Sequence, residues 1–222
     1  METGFLDRAV IANGATYRYQ VYAPFEFVPE RRWPVILFLH GAGECGADGL
    51  LPTEVGIGAA IRRHRGRFPA LVVFPQLRPD AFWQGVMETQ ALLALEQTVA
   101  EFNGDRQRLY LTGISRGGYG TWHIAAHNPG LFAALAPVCG GVVRPSGTNL
   151  APRVAELFNV ADPYAEAARL IGATPVWMFH GEADNVIPVT ESRRMAAALQ
   201  AAGGKAQYTE YAGVGHDSWL RA

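Results

Sequence analysis

With 222 residues, 49% of them apolar and 18% charged, the chain can bury one sizeable core, and disordered, collagen-like and low-complexity classes are excluded. Nineteen Lys and Arg stand against twenty Asp and Glu, a net charge of −1, so no field steers a polyanion and nucleic acid is excluded as an expected partner. No apolar run approaches the ~20 residues that a membrane span needs, and no basic segment followed by an apolar one marks a leader.

The predicted elements open with two antiparallel runs, 8–12 and 17–22, around the turn-forming pair Asn13-Gly14. Residues 35–40 (VILFLH) and 71–74 (LVVF) read as buried strands bounded by prolines. Between them an apolar segment runs into Arg62, Arg63, His64, Arg65 and Arg67. A solvated helix end or loop is the reading there, with an anion or partner contact as the alternative. Leu92, Leu95, Val99 and Phe102 recur at helical spacing and predict a helix over 88–102, capped at Asn103-Gly104. Strand 108–114, helix 116–127, strand 135–138, a helix near 163–171, strand 176–179, helix 190–202 and strand 207–211 follow. This alternation predicts an α/β fold: a mostly parallel twisted sheet with helices on both faces, antiparallel N-terminal strands and no large cap domain, in one domain over 1–222.

Between strand 108–114 and the next helix stands Gly113-Ile114-Ser115-Arg116-Gly117, a G-x-S-x-G at a strand–turn–helix junction. A serine at so sharp a turn is strained, and small neighbours two positions either side let the chain fold that tightly. The competing account is a glycine-rich turn that merely packs helix on strand; it explains the glycines and not the serine. Ser115 is therefore the candidate nucleophile, and a serine hydroxyl needs a base. Of six histidines, His216 lies in a glycine-bordered loop after the last strand and is the candidate base. His40 reads as structural support, and His123 and His127 as packing or surface residues. Asp184, in the loop after strand 176–179, is the candidate acid, which gives the chain order Ser, Asp, His; Glu182 and Asp162 are its competitors. Oxyanion donors are expected at the amides of Arg116 and Ala42, the latter in the small-residue turn His40-Gly41-Ala42-Gly43. A plain glycine turn is the alternative there.

The segments LFLHGAGE, GISRGGYGTW, APVCGG, HGEADNVIPV and GVGHDSW together resemble the α/β-hydrolase superfamily. Within it they resemble small bacterial carboxylesterases of the predicted-peptidase group, related to feruloyl esterases and polyhydroxybutyrate depolymerases. The likeness runs from about residue 8 to 219. It implies a Ser115–Asp184–His216 triad, an acyl-enzyme, no metal and no organic cofactor, and a small-molecule ester substrate with short acyl or aryl (hydroxycinnamoyl included) groups. Two departures stand out. Cys45 occupies a place where a larger polar or basic residue is expected, and the sequence stops six residues past His216, where a further covering helix is expected.

The stretch 140–174, where such proteins insert a lid, is too short for a cap domain, so a fairly open cleft is expected. Trp83 and Trp122 are the candidate substrate-binding residues, with Phe82 and Trp219 beside them; core packing competes for each. Cys45 and Cys139 are too few for a disulfide framework; a bridge between them competes with reduced thiols. The compartment stays open between secreted and cytoplasmic. Rival functions are a serine peptidase or an acyltransferase using the same residues, or a catalytically silent binding protein of the same fold.

Overall fold

Alternating side chains and the Asn13-Gly14 turn fold the N-terminus into a hairpin. β1 (Gly4–Ala12) runs antiparallel to β2 (Ala15–Ala23), and both turn residues take positive φ, 47° and 76°, as a two-residue hairpin loop requires. The protein is described here by a computed structural model covering residues 2–143 and 158–222. β3 (Trp33–Leu39), β4 (Leu71–Pro75), β5 (Gly104–Ile114), β6 (Ala134–Val138), β7 (Val176–Gly181) and β8 (Ala206–Tyr211) complete an eight-stranded sheet. Its order is β1-β2-β4-β3-β5-β6-β7-β8, antiparallel up to the β2–β4 pair and parallel from there on.

The two faces of the sheet differ. Val35, Leu37 and Leu39 of β3 point to the larger core, which α2 (Val86–Glu101), α3 (Arg116–His127), α4 (Pro163–Ile171) and α5 (Thr190–Ala201) close. Phe38 of the same strand points the other way, into a smaller cluster with Ile61 of α1 (Gly56–Arg63), Phe74 and Ile114. This is the period-2 alternation of a strand buried on both sides. Past α1, over β5 to β7, the second face carries an apolar groove of about 430 Å³ lined by Tyr110, Ala136, Trp177, Phe179 and Trp219. No helix among the described residues is long and apolar enough to cross a membrane.

Three local features refine the sequence expectations. Arg62 and Arg63 close α1, and with Arg65 and Arg67 they stand exposed: a solvated helix end. Asn103, at φ 50°, makes the left-handed exit from α2, whereas Gly104 is the first residue of β5 rather than part of the cap. A side chain at Gly104 would meet Val35 and Val99 at 2.7 and 2.9 Å, so the strand enters the sheet where only glycine fits. Cys45 and Cys139 are both free thiols, which removes the disulfide alternative. Of the 140–174 stretch, residues 144–157 lie outside the described residues.

Candidate active site

β5 ends in Ile114, and α3 begins at Arg116. The single residue between them, Ser115, has φ 54° and ψ −116°, a region costly for any residue with a side chain. The flanking glycines are forced by contact. A Cβ on Gly117 would collide with the Leu39 carbonyl, and one on Gly113 with the Gly117 carbonyl. The Arg116 amide opens the helix, so it has no acceptor within it and lies at its positive end. β3 and β5 are neighbours from which the chain proceeds in opposite directions across the sheet. Open α/β sheets bind ligands outside the carboxyl ends of the strands at such a switch point.

Ser115 keeps partial exposure. Its Oγ lies 2.9 Å from Nε2 of His216, and Nδ1 of His216 lies 2.7 Å from Oδ2 of Asp184. The Asp184 side chain is fully buried, and that of His216 is 19% exposed. Asp184 is held from every side. His180 Nε2 approaches Oδ2 at 3.1 Å, and the amides of Val186 and Ile187 donate to Oδ1 at 2.9 Å each. Burial alone would push its carboxyl up, but the bonds from His180, His216 and the Ile187 amide outweigh it and hold the group well below the usual carboxylate range. Nδ1 of His180 meets Ser192 Oγ at 2.7 Å. The competing acids are engaged elsewhere: Asp162 caps α4 by accepting from the Tyr164 and Ala165 amides, and Glu182 accepts from the Gly213 amide.

The loop after β3 is fixed from beneath. His40 is fully buried; its Nδ1 donates to the Gly41 carbonyl at 2.7 Å and its Nε2 accepts from the Leu77 amide at 2.9 Å. That pattern requires the neutral imidazole. Burial lowers its pKa to about 4, against the opposing bond to Gly41. Gln76 adds a clamp: its Nε2 donates to the Glu44 carbonyl at 3.0 Å and its Oε1 accepts from the Gly49 amide at 2.7 Å. A Cβ on Gly41 would stand 3.6 Å from that of Ser115, so this turn lies against the serine, and Ala42 follows it in an exposed bend.

The tryptophans need correction as substrate-binding candidates. Trp83 and Trp122 are each 1% exposed and belong to the larger core. Trp83 donates to the His40 carbonyl at 3.2 Å, and Gly120 of α3 leaves room for its ring. Its neighbour Phe82 instead stays partly exposed and packs with Tyr119, Val186 and Ile187. The role of His180 is invisible in sequence, since its partner Asp184 becomes adjacent only through the β7 turn. Cys139, Asp184 and His216 offer possible metal-binding atoms within 4.8 Å of one another. Two of these groups are already bonded to each other, and burial pushes the Cys139 thiol up to about 12.

Comparison with known proteins gives consistent likenesses. The prolyl oligopeptidase family profile (Peptidase_S9) matches residues 83–222. A crystal structure of a thermostable esterase superposes with a TM-score of 0.80 and 30% identity, over 98% of this chain and 59% of that one. An uncharacterized secreted protein of Arthroderma benhamiae is 28% identical over 199 residues, 82% of this chain and 21% of its own length. A putative carboxymethylenebutenolidase of Methylorubrum extorquens is 36% identical over 135 residues, 59% of this chain and 42% of its own length. The chain thus spans less than half the length of these two curated relatives.

Proposed function

The chain belongs to the prolyl oligopeptidase family, and on that premise we propose that it is a carboxylic ester hydrolase acting through Ser115, His216 and Asp184. The observation that carries this reading is the unbroken hydrogen-bonded row from Ser115 Oγ through His216 to Asp184, at 2.9 and 2.7 Å, with the serine reachable from solvent. Likeness to a thermostable esterase at 30% identity supports the ester over other acyl substrates.

In this reading Ser115 attacks the ester carbonyl while its proton passes to His216 Nε2. Asp184, accepting from Nδ1, holds the ring in the required tautomer and stabilises the imidazolium. The amides of Arg116 and Ala42 receive the oxyanion, a donor of this kind being worth about 10²–10³ in rate. His216 then gives the proton to the departing alcohol, and water releases the acid from the acyl-enzyme by the same path. The substrate is a small-molecule ester with a short acyl or an aryl group, hydroxycinnamoyl among them; no metal or organic cofactor enters, nor does nucleic acid or membrane.

The family match favours a second reading, peptide-bond hydrolysis by the same three residues. Initial rates on p-nitrophenyl esters of increasing acyl length and on aminoacyl p-nitroanilides, for wild type and Ser115→Ala, separate the two. Ester turnover peaking at short chains and lost in the variant is the expected result. Anilide turnover without ester turnover establishes the peptidase, and no turnover of either substrate removes both readings.

A further inference from the structure

Arg116 contributes more than an amide. The residue is 8% exposed, yet no described carboxylate forms an ion pair with its guanidinium. Nη1 reaches the Ala81 carbonyl at 3.2 Å and the Cys45 Sγ at 3.5 Å, and the group lies 5.1 Å from the centre of the Phe82 ring. One carbonyl, one thiol and one aromatic face hold the side chain in position, and the carboxylates of Glu44 and Asp80, whose charges act on the same Cys45 thiol, form no ion pair with it. Its Nε and Nη2 have no hydrogen-bond partner among the described residues, and neither nitrogen is wholly shut off from solvent. A guanidinium mostly withdrawn from water calls for an anion.

The place of this cation is specific. It belongs to the residue next to Ser115, and its contacts come from the loops that follow β3 and β4, at the carboxyl end of the sheet. We infer that Arg116 recognises a carboxylate carried by the ester substrate itself, which makes the preferred substrate an anionic ester such as a dicarboxylic acid hemi-ester or an acylated hydroxy acid. The planar fork with two unused donor nitrogens suits a carboxylate held by two parallel N–H···O bonds. The assignment rests on the ester-hydrolase reading above and adds the substrate's charge to it.

The test compares monomethyl glutarate with methyl pentanoate, and O-acetylglycolate with propyl acetate, by titrating the acid released. Wild type, Arg116→Met and Arg116→Lys are measured at low and moderate salt. In wild type at least one anionic ester is expected to exceed its neutral counterpart in kcat/KM. That ratio is expected to fall roughly 10- to 100-fold in Arg116→Met, as loss of a hydrogen bond to a charged group implies, mainly through KM, with partial rescue by Lys. A wild type without anionic preference, or a ratio unchanged in Arg116→Met, overturns the assignment whatever the absolute rates. If wild type turns over none of these esters, the ester-hydrolase reading falls on its own. Calorimetric binding of monomethyl glutarate to Ser115→Ala, present there and absent from Ser115→Ala/Arg116→Met, then still supports anion recognition, and absence from both overturns it.

Discussion

His180 and Asp184, four residues apart across the turn that leaves β7, meet at 3.1 Å with neither side chain exposed. The acid is therefore held by two imidazoles, and only one of them faces the serine. Replacing His180 with Asn removes a bond to a charged group, and kcat/KM is expected to fall about 10- to 100-fold. The pH dependence of stability should move with it. Asp184 is held below its ordinary value of 3.8, so its stabilising contribution is complete above that pH and is lost as pH falls toward the depressed value. Weaker holding raises the folded value and shrinks the contribution. An acid titration followed by circular dichroism should show His180→Asn unfolding at higher pH than wild type.

His40 acts in the opposite direction. Its folded value of about 4 lies below the ordinary 6.5, so below pH 6.5 the unfolded chain binds a proton that the folded protein refuses. Stability should fall as pH drops from 6.5 to 4, by roughly 3 kcal/mol over that window. Urea unfolding across the range should give a slope shallower by about one proton in His40→Gln. An equal slope in both proteins removes His40 as the source.

Trp83 and Phe82, adjacent in sequence, should separate cleanly in function. Trp83→Ala is expected to cost about 3–5 kcal/mol in denaturant unfolding, as for other large core truncations, while Trp83→Phe keeps the acyl-length profile. Phe82→Ala should change that profile with little effect on stability, since the ring is partly exposed beside Tyr119 and Val186. Identical profiles for Phe82→Ala and wild type would remove Phe82 from the substrate's path.

The two thiols should differ in reactivity. Burial raises both thiols, but Cys45 is partly exposed, whereas Cys139 is buried and pushed up to about 12, and the thiolate is the reacting species. Iodoacetamide is expected to modify Cys45 in the folded protein and Cys139 only in denaturant, as peptide mass mapping would show.

Legibility of the sequence followed the range of the forces involved. Strands such as VILFLH and LVVF declare themselves because burial on both faces demands continuous apolar runs between breakers. Asp105 to Gln107, near the start of β5, are polar and fall where the β3–β5 register shifts, between Trp33↔Gly104 and Val35↔Leu109, so no apolar alternation marks them as strand. α1 shows in the sequence only as a choice between a helix end and a loop, because its eight residues include two glycines and few large apolar side chains beyond Ile57 and Ile61. Ser115 was readable because contacts along the β5–α3 turn dictate glycine at both flanking positions. Asp184 and His216, which lie within hydrogen-bond reach in line with it, stood out because each sits in the loop that follows a strand. His180 turns onto Ser192 of α5 and the loop that follows β7, Gln76 clamps the loop after β3, and Trp83 bonds the His40 carbonyl, contacts that no local pattern marks.

Ser115 and His216 are 101 positions apart in the chain and meet only when β5 through β8 stand in register. Contacts of such long sequence separation form late, because loop closure must come first. On refolding, turnover should therefore return after most of the secondary structure has. The same geometry leaves the site exposed to a local failure: among the described residues β8, whose following loop carries His216, is an edge strand paired only with β7. Fraying of that one edge withdraws His216 while the rest of the sheet stands, so inactivation by mild heat or denaturant should precede global unfolding.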